Sequence, residues 1–226
     1  MFFVGIDFSI NSPGICITHG DQIRWISYSS GPKTKADGVY TDSISKCRDV
    51  SFTLINDTVN SQDSIDTYSE GEYQKIVKYI QRATAIKDLI LTNLVELGYG
   101  FNEHKIHFGF EGFSYGSNTN NILDIAIATG FLKKELIDTF PDITLSVIAP
   151  GTIKKHAGSG RYKKKDMYDV FAENKHNDSR LDASDFWSLS QSLRGAKKLV
   201  KPTDDLIDAY FIANALEGKF SSPELA

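Results

Sequence analysis

The chain has little cysteine, no excess of positive charge and no long apolar run, and each shortage closes off a class of function. Only two of its 226 residues are cysteines, Cys16 and Cys47, which cannot form a thiolate metal cluster or a disulfide framework. Cys16 lies in an apolar stretch and reads as a buried thiol, so the expected setting is reducing and cytoplasmic. No apolar run approaches the roughly 20 residues of a membrane span. Met1-Phe2-Phe3-Val4 reads as the start of a strand and not as a secretory leader, because Asp7 interrupts it too early. No P-loop occurs. A net charge of −4 excludes a general basic coat for nucleic acid, although it leaves room for a local basic surface.

What is present suits one domain over 1–226 with a real core. Val4-Gly5-Ile6-Asp7 ends an apolar run in a carboxylate. Asn11-Ser12-Pro13-Gly14 then turns the chain, and a second apolar run follows from Ile15 to Thr18. Residues 2–8, 13–19 and 22–28 therefore read as a three-strand meander. Residues 29–72 are rich in Ser, Thr, Asp, Asn and Gly. They read as an insertion carrying a hairpin or loops, with a strand-like piece at Val50-Ser51-Phe52-Thr53-Leu54-Ile55.

Residues 73–97 form the strongest helical pattern, with Ile76, Tyr79, Ile80, Ala83, Ile86, Ile90 and Leu94 at three- and four-residue steps. Residues 105–111 alternate into a strand that also ends in a carboxylate, Glu111. His104 and His107 fall on opposite faces of that strand, against a metal pair. A helix over 120–138 follows, with small residues Ala126, Ala128 and Gly130 that admit a close neighbour, internal or in a second subunit. Residues 143–148 form the fifth strand.

Ala149-Pro150 opens what reads as a basic loop, containing Lys154, Lys155, His156, Arg161, Lys163, Lys164 and Lys165. His156 beside it is either a solvated loop residue or a phosphate contact. Short helices are expected at 166–174 and 182–193, with Trp187 packing. The segment 176–201 ends in a second basic cluster of Arg194, Lys197, Lys198 and Lys201. The last helix spans about 203–217, with Thr203 as the expected N-cap. Asp205 and Asp208 share a face near its start, where acids also suit the helix dipole with no further role.

This order describes an α/β fold with a mixed five-stranded sheet. In such a sheet the first and fourth strands are neighbours, which sets Asp7 beside Glu111 at one edge, and the last helix can bring Asp205 and Asp208 over it. Carboxylates so gathered repel unless protons or cations are shared. Oxygen donors suit Mg²⁺ or Mn²⁺, and two such ions could clamp a phosphodiester. The basic residues would hold the rest of the polyanion in a salt-dependent way.

These segments resemble the RuvC-type Holliday junction resolvases of the RNase H-like superfamily. Gly5-Ile6-Asp7 with Gly14 matches the first motif, and Glu111 ends the fourth strand with Gly130 at the family's distance beyond it. Ala149-Pro150, Lys154, Gly158-Ser159-Gly160 and Lys164 resemble the family's basic loop. Asp205-Leu206-Ile207-Asp208-Ala209 with Ile212-Ala213 resembles its closing helix. The resemblance implies an RNase H-like nuclease domain and a homodimeric endonuclease that cuts four-way DNA junctions by paired symmetric nicks. It implies two Mg²⁺ per active site, with Mn²⁺ able to substitute, held by Asp7, Glu111, Asp205 and Asp208. Lys164 would act at the reacting phosphate, and Lys154, Lys155, Arg161 and Lys163 would bind DNA. The helix 120–138 would form the dimer interface.

Two departures stand out. Ser9 replaces a usual Gly, and the aromatic wedge of the family falls on Ser114, flanked by Phe113 and Tyr115 as the aromatics available for DNA. The insertion and the extra segment resemble divergent viral or organellar members, which implies a bacteriophage source. Competing readings are an RNase H or a flap nuclease on the same fold, a catalytically dead junction-binding protein, and an actin-like ATPase or kinase. The last would need a second phosphate loop and an adenosine motif, and the chain has neither.

Overall fold

The computed structural model describes residues 1–29, 41–54, 68–101, 103–113, 119–192 and 201–221. The first three strands are β1 (Phe2–Asp7), β2 (Gly14–His19) and β3 (Gln22–Ser29), joined antiparallel as the meander the turns dictate. Strands β4 (Val50–Leu54), β5 (Ile106–Glu111) and β6 (Ile143–Ile148) complete one sheet of order β4-β3-β2-β1-β5-β6. β5 runs parallel to β1, and β6 runs parallel to β5. The meander followed by parallel crossovers is the mixed α/β arrangement expected from the sequence.

Among the described residues the sheet has six strands where five were expected. The extra one, β4, comes from the segment read as an insertion. It pairs parallel with β3, from Trp25–Val50 to Ser29–Leu54, so these two strands are not a hairpin with each other. Its partner β3 would otherwise be the sheet edge, with unpaired backbone groups open to other chains. Most of the remaining insertion, at 30–40 and 55–67, lies outside the described residues.

Helices cover both faces, so strand residues of both parities are buried and β1 reads as a nearly continuous apolar run. One face carries α1 (Tyr68–Glu96) and α2 (Thr119–Thr139). Their Ala83, Ile86, Ile90, Leu94, Leu132 and Leu136 pack on Val4, Ile6, Ile15, Phe108 and Phe110. Ile80, expected in the α1 stripe, is instead 41% exposed, because it is turned about 100° around the helix from Tyr79, off the face that buries Tyr79, Arg82, Ala83 and Ile86.

The other face carries α3 (Pro150–Ala157), α4 (Lys164–Ala172), α5 (Ser179–Asp182), α6 (Asp185–Gln191) and α7 (Thr203–Phe220). The expected basic loop is thus largely helical, with Pro150 at the first turn of α3, where its missing N–H costs nothing. The helix expected at 182–193 is present as the shorter α6, capped by Ser184, and α5, capped by Asp178, precedes it as a turn of helix that was not expected. α5 and α6 are pinned to the β3–β4 side by buried Asp49, which accepts from Ser184 Oγ at 2.5 Å and Phe186 N–H at 3.2 Å. Trp187 packs as expected, its Nε1 donating to the Phe171 carbonyl.

Candidate active site

β1 and β5 run side by side to the same sheet end, with Ile6 opposite Phe110 as the last aligned pair. The next residue of each strand is a carboxylate, Asp7 and Glu111. Residues 3, 5 and 7 of β1 and 107, 109 and 111 of β5 share one face by alternation. That face carries α7.

α7 can lie this close because β1 and β2 present glycines to it. A Cβ on Gly5 would stand 2.1 Å from the Ala209 carbonyl oxygen and 2.5 Å from the Ala213 nitrogen. A Cβ on Gly14 would stand 2.2 Å from the Asp205 carbonyl oxygen. The glycines of the first motif are therefore a seat for the last helix, and the seat sets Asp205 and Asp208 over Asp7 and Glu111.

The electrostatics record this convergence. Burial, then the charges of Asp205, Asp208 and Glu111, push the Asp7 carboxyl well above its ordinary value, with Lys164 opposing. Burial followed by Asp204 raises Asp205 to about 6. Burial also raises Asp208 and, together with the Asp208 charge, Glu111. Asp205 is only 3% exposed.

Two lysines meet the cluster. Lys164, the first residue of α4, places Nζ 3.1 Å from Asp208 Oδ2 and 3.3 Å from Asp204 Oδ2. Lys201 places Nζ 3.3 Å from the same Asp204 oxygen and pairs with Asp205 Oδ1. Ser12 Oγ donates to the other Asp205 oxygen at 3.2 Å. Burial alone would lower the Lys164 ammonium, yet Asp208 and Asp204 hold it above its ordinary value.

Behind the site, Arg82 of α1 donates through Nη1 to the Ile10 carbonyl at 2.5 Å and to Asn11 Oδ1 at 3.2 Å. It ties down the turn between Asp7 and Ser12. Ser12, Arg82 and Asp204 were not assigned roles from the sequence, and Lys201 was seen only as part of a basic cluster. Arg82 left one readable signal, a cation inside an apolar helical stripe.

The five residues expected to do chemistry, Asp7, Glu111, Asp205, Asp208 and Lys164, are brought to one place. Lys154 in the last turn of α3 is near enough to pull the Glu111 carboxyl down against its burial. Lys155, Arg161 and Lys163 are exposed at the end of α3 and in the turn before α4. Phe113 is 48% exposed two residues past Glu111, whereas Ser114 and Tyr115 lie outside the described residues, as do Arg194, Lys197 and Lys198. His156 is not at the site. Its ring is parallel to that of His176 at 6.1 Å, beside Gly218 at the far end of α7. Thr203 does not cap α7; it is the first helical residue, after Pro202. His104 and His107 do not pair. His104 Nδ1 accepts from Gly100 N–H, and His107 is buried between Phe3 and Phe220.

Oxygen-only donors of this kind suit hard divalent cations, and Asp204 Oδ1 is buried with no hydrogen-bond partner. The donor set thus fits such a cation in kind. Among the described residues no three His, Cys, Asp or Glu side chains stand close enough together to hold a metal ion as they are. The ammonium groups of Lys164 and Lys201 pair with the carboxylates of α7.

No family model and no curated protein matches the sequence. Solved structures do. Thermus thermophilus RuvC aligns at 13% identity and a TM-score of 0.49, over 98% of this chain and 97% of that one. T. thermophilus RuvC in complex with Holliday junction substrate aligns at 13% identity and 0.47, over 97% and 95%. The yeast mitochondrial Holliday junction resolvase Ydc2 aligns at 13% identity and 0.45, over 94% of this chain and 75% of that one.

Proposed function

We propose that this chain is a divalent-metal-dependent endonuclease of branched DNA, with the four-way junction as its substrate. The observation that carries this reading is the gathering of Asp7, Glu111, Asp205 and Asp208 from three elements onto one sheet end, at a cost in burial first and in repulsion between acids second that their raised pKa values register. Natural proteins retain such strain where function needs it. The four carboxylates would hold two Mg²⁺ or Mn²⁺ ions, which supply Lewis acidity for phosphodiester hydrolysis when bound.

The remaining steps belong to the chain's own side chains. Lys164 faces the carboxylates and can meet negative charge on the reacting phosphate. Lys154, Lys155, Arg161 and Lys163 border the site and bind flanking phosphates. Ser12 and Arg82 hold the β1–β2 turn, and with it Asp7, in register with Asp205. Phe113, exposed beside Glu111, can stack on a splayed base. The choice of a four-way junction over other branched DNA rests on the ordered set of resolvase-like motifs.

Two symmetric nicks need two sites, and α2 offers the surface for a homodimer. Leu123, Ile127 and Ile137 are 58%, 43% and 56% exposed and recur at helical steps with Gly130 among them, where an added Cβ would meet nothing within 4 Å. The test is cleavage of a synthetic four-way junction in Mg²⁺, beside linear duplex, flap and RNA–DNA hybrid, by wild type and Asp7→Asn. Paired nicks on the junction that vanish in the variant are expected. Cutting of the hybrid alone reassigns the chain to an RNase H activity, and tight junction binding without cutting reassigns it to a binding protein.

A further inference from the structure

Lys201 lies outside every motif that carries the resemblance, yet it touches the most buried carboxylate of the site. Asp205 has both oxygens occupied, Oδ1 by Lys201 and Oδ2 by Ser12 at 3.2 Å. The Asp205 side chain is only 4% exposed, whereas that of Lys201 is 54% exposed. The lysine therefore reaches inward from solvent to a carboxylate that has little solvent of its own.

Asp204 anchors it. A single oxygen, Oδ2, is shared by Lys201 and Lys164, each at 3.3 Å. The two ammonium groups come from different elements, the residues before α7 and the start of α4. An ammonium and a divalent cation compete for Asp205 Oδ1, because two positive charges brought to contact distance on one carboxylate oxygen repel each other.

We propose that Lys201 is a built-in counter-ion that closes the carboxylate site in the metal-free protein and must leave Asp205 before a divalent cation is held there. Asp204 is the positioning residue for this exchange, since it keeps its own hold on the Lys201 ammonium when Asp205 is given up. The inference rests on the reading of the carboxylates as a metal site. It concerns which side chain competes with the metal and not the chemistry of cleavage.

The experiment is Mn²⁺ titration of the full chain by calorimetry, for wild type, Lys201→Met and the remote control Lys105→Met. It is paired with lysine acetylation of wild type read by mass spectrometry, with and without Mn²⁺. Lys201→Met should bind Mn²⁺ at least about fivefold tighter than wild type, at the lower end of ordinary coupling between two ligands, and Lys105→Met should not. Acetylation of Lys201 should quicken severalfold when Mn²⁺ is added. Mn²⁺ binding by wild type with no tightening in Lys201→Met, or with unmoved Lys201 acetylation, overturns the inference and leaves the metal site standing. Absence of Mn²⁺ binding to every form overturns both. Should Lys201→Met fail to fold, the wild-type acetylation alone decides.

Discussion

Asp7 sits in a position that favours function over stability. Its carboxyl is driven upward by burial and by three neighbouring acids, so its charge opposes folding of the metal-free protein. Asp7→Asn removes that charge while keeping the shape. The variant is expected to lose cleavage by orders of magnitude yet gain metal-free stability, because a buried charge repelled by its neighbours is removed. Denaturant melts in EDTA beside junction cleavage check both halves. The same acids fix a pH dependence. Asp7, Glu111, Asp205 and Asp208 all titrate higher folded than unfolded. The folded state therefore binds more protons over a window that for Asp205 runs from the ordinary Asp value of 3.8 to about 6. Across that window these groups make metal-free stability fall as pH rises, with no further change from Asp205 above it. Comparing wild type with Asp205→Asn by thermal melts from pH 4 to 7 isolates this part, and the variant should show the shallower decline.

At the scale of elements, the decisive feature is the seating of α7. This helix is buried on nearly every side, from Asp205 and Leu206 through Tyr210 and Phe211 to Asn214 and Leu216, as a helix between a sheet and a helical layer must be. Gly5→Ala would drive a Cβ into helix backbone at 2.1 Å, where no side chain can rotate away. The expected cost is about 3 kcal/mol or more, at or above the usual range for overpacking. Cleavage should also drop at temperatures where the variant is still folded, because Asp205 and Asp208 are displaced. Circular dichroism melts and activity well below the melting point separate the two effects. Asp49→Ala addresses a different contact. It strips the buried acceptor from Ser184 and Phe186, costing about 1–3 kcal/mol. It should expose 179–191 to limited proteolysis before the rest of the chain.

At the scale of the molecule, two surfaces would serve one substrate. Lys154 of α3 and Lys164 of α4 stand beside the carboxylates, while the α2 stripe lies on the opposite face of the sheet. The two can act in one complex only if the dimer axis presents both sites to the same DNA. Ile127→Glu places a charge within the apolar stripe and should turn a dimer into a monomer in light-scattering chromatography. It should convert paired nicks into single, uncoupled ones. Wild type that runs as a monomer at micromolar concentration would remove α2 from this role.

The sequence by itself determined the meander, the α1 and α2 cores, the mixed α/β order and the four carboxylates, because strand alternation, helical periodicity and turn chemistry are local properties of the chain. Tertiary structure alone decided the rest. β4 became the sixth strand by pairing parallel with β3, the stretch after Pro150 became helix beneath α7, and Ile80 was left on the exposed flank of α1. Ser12, Arg82, Asp204 and Lys201 joined the site through contacts that the sequence does not reveal. A register, a helix seat or a shared carboxylate oxygen depends on residues far apart in the chain; Ser12 and Asp205 are 193 positions apart. Such pairings are set only when the packed layers bring the charges together.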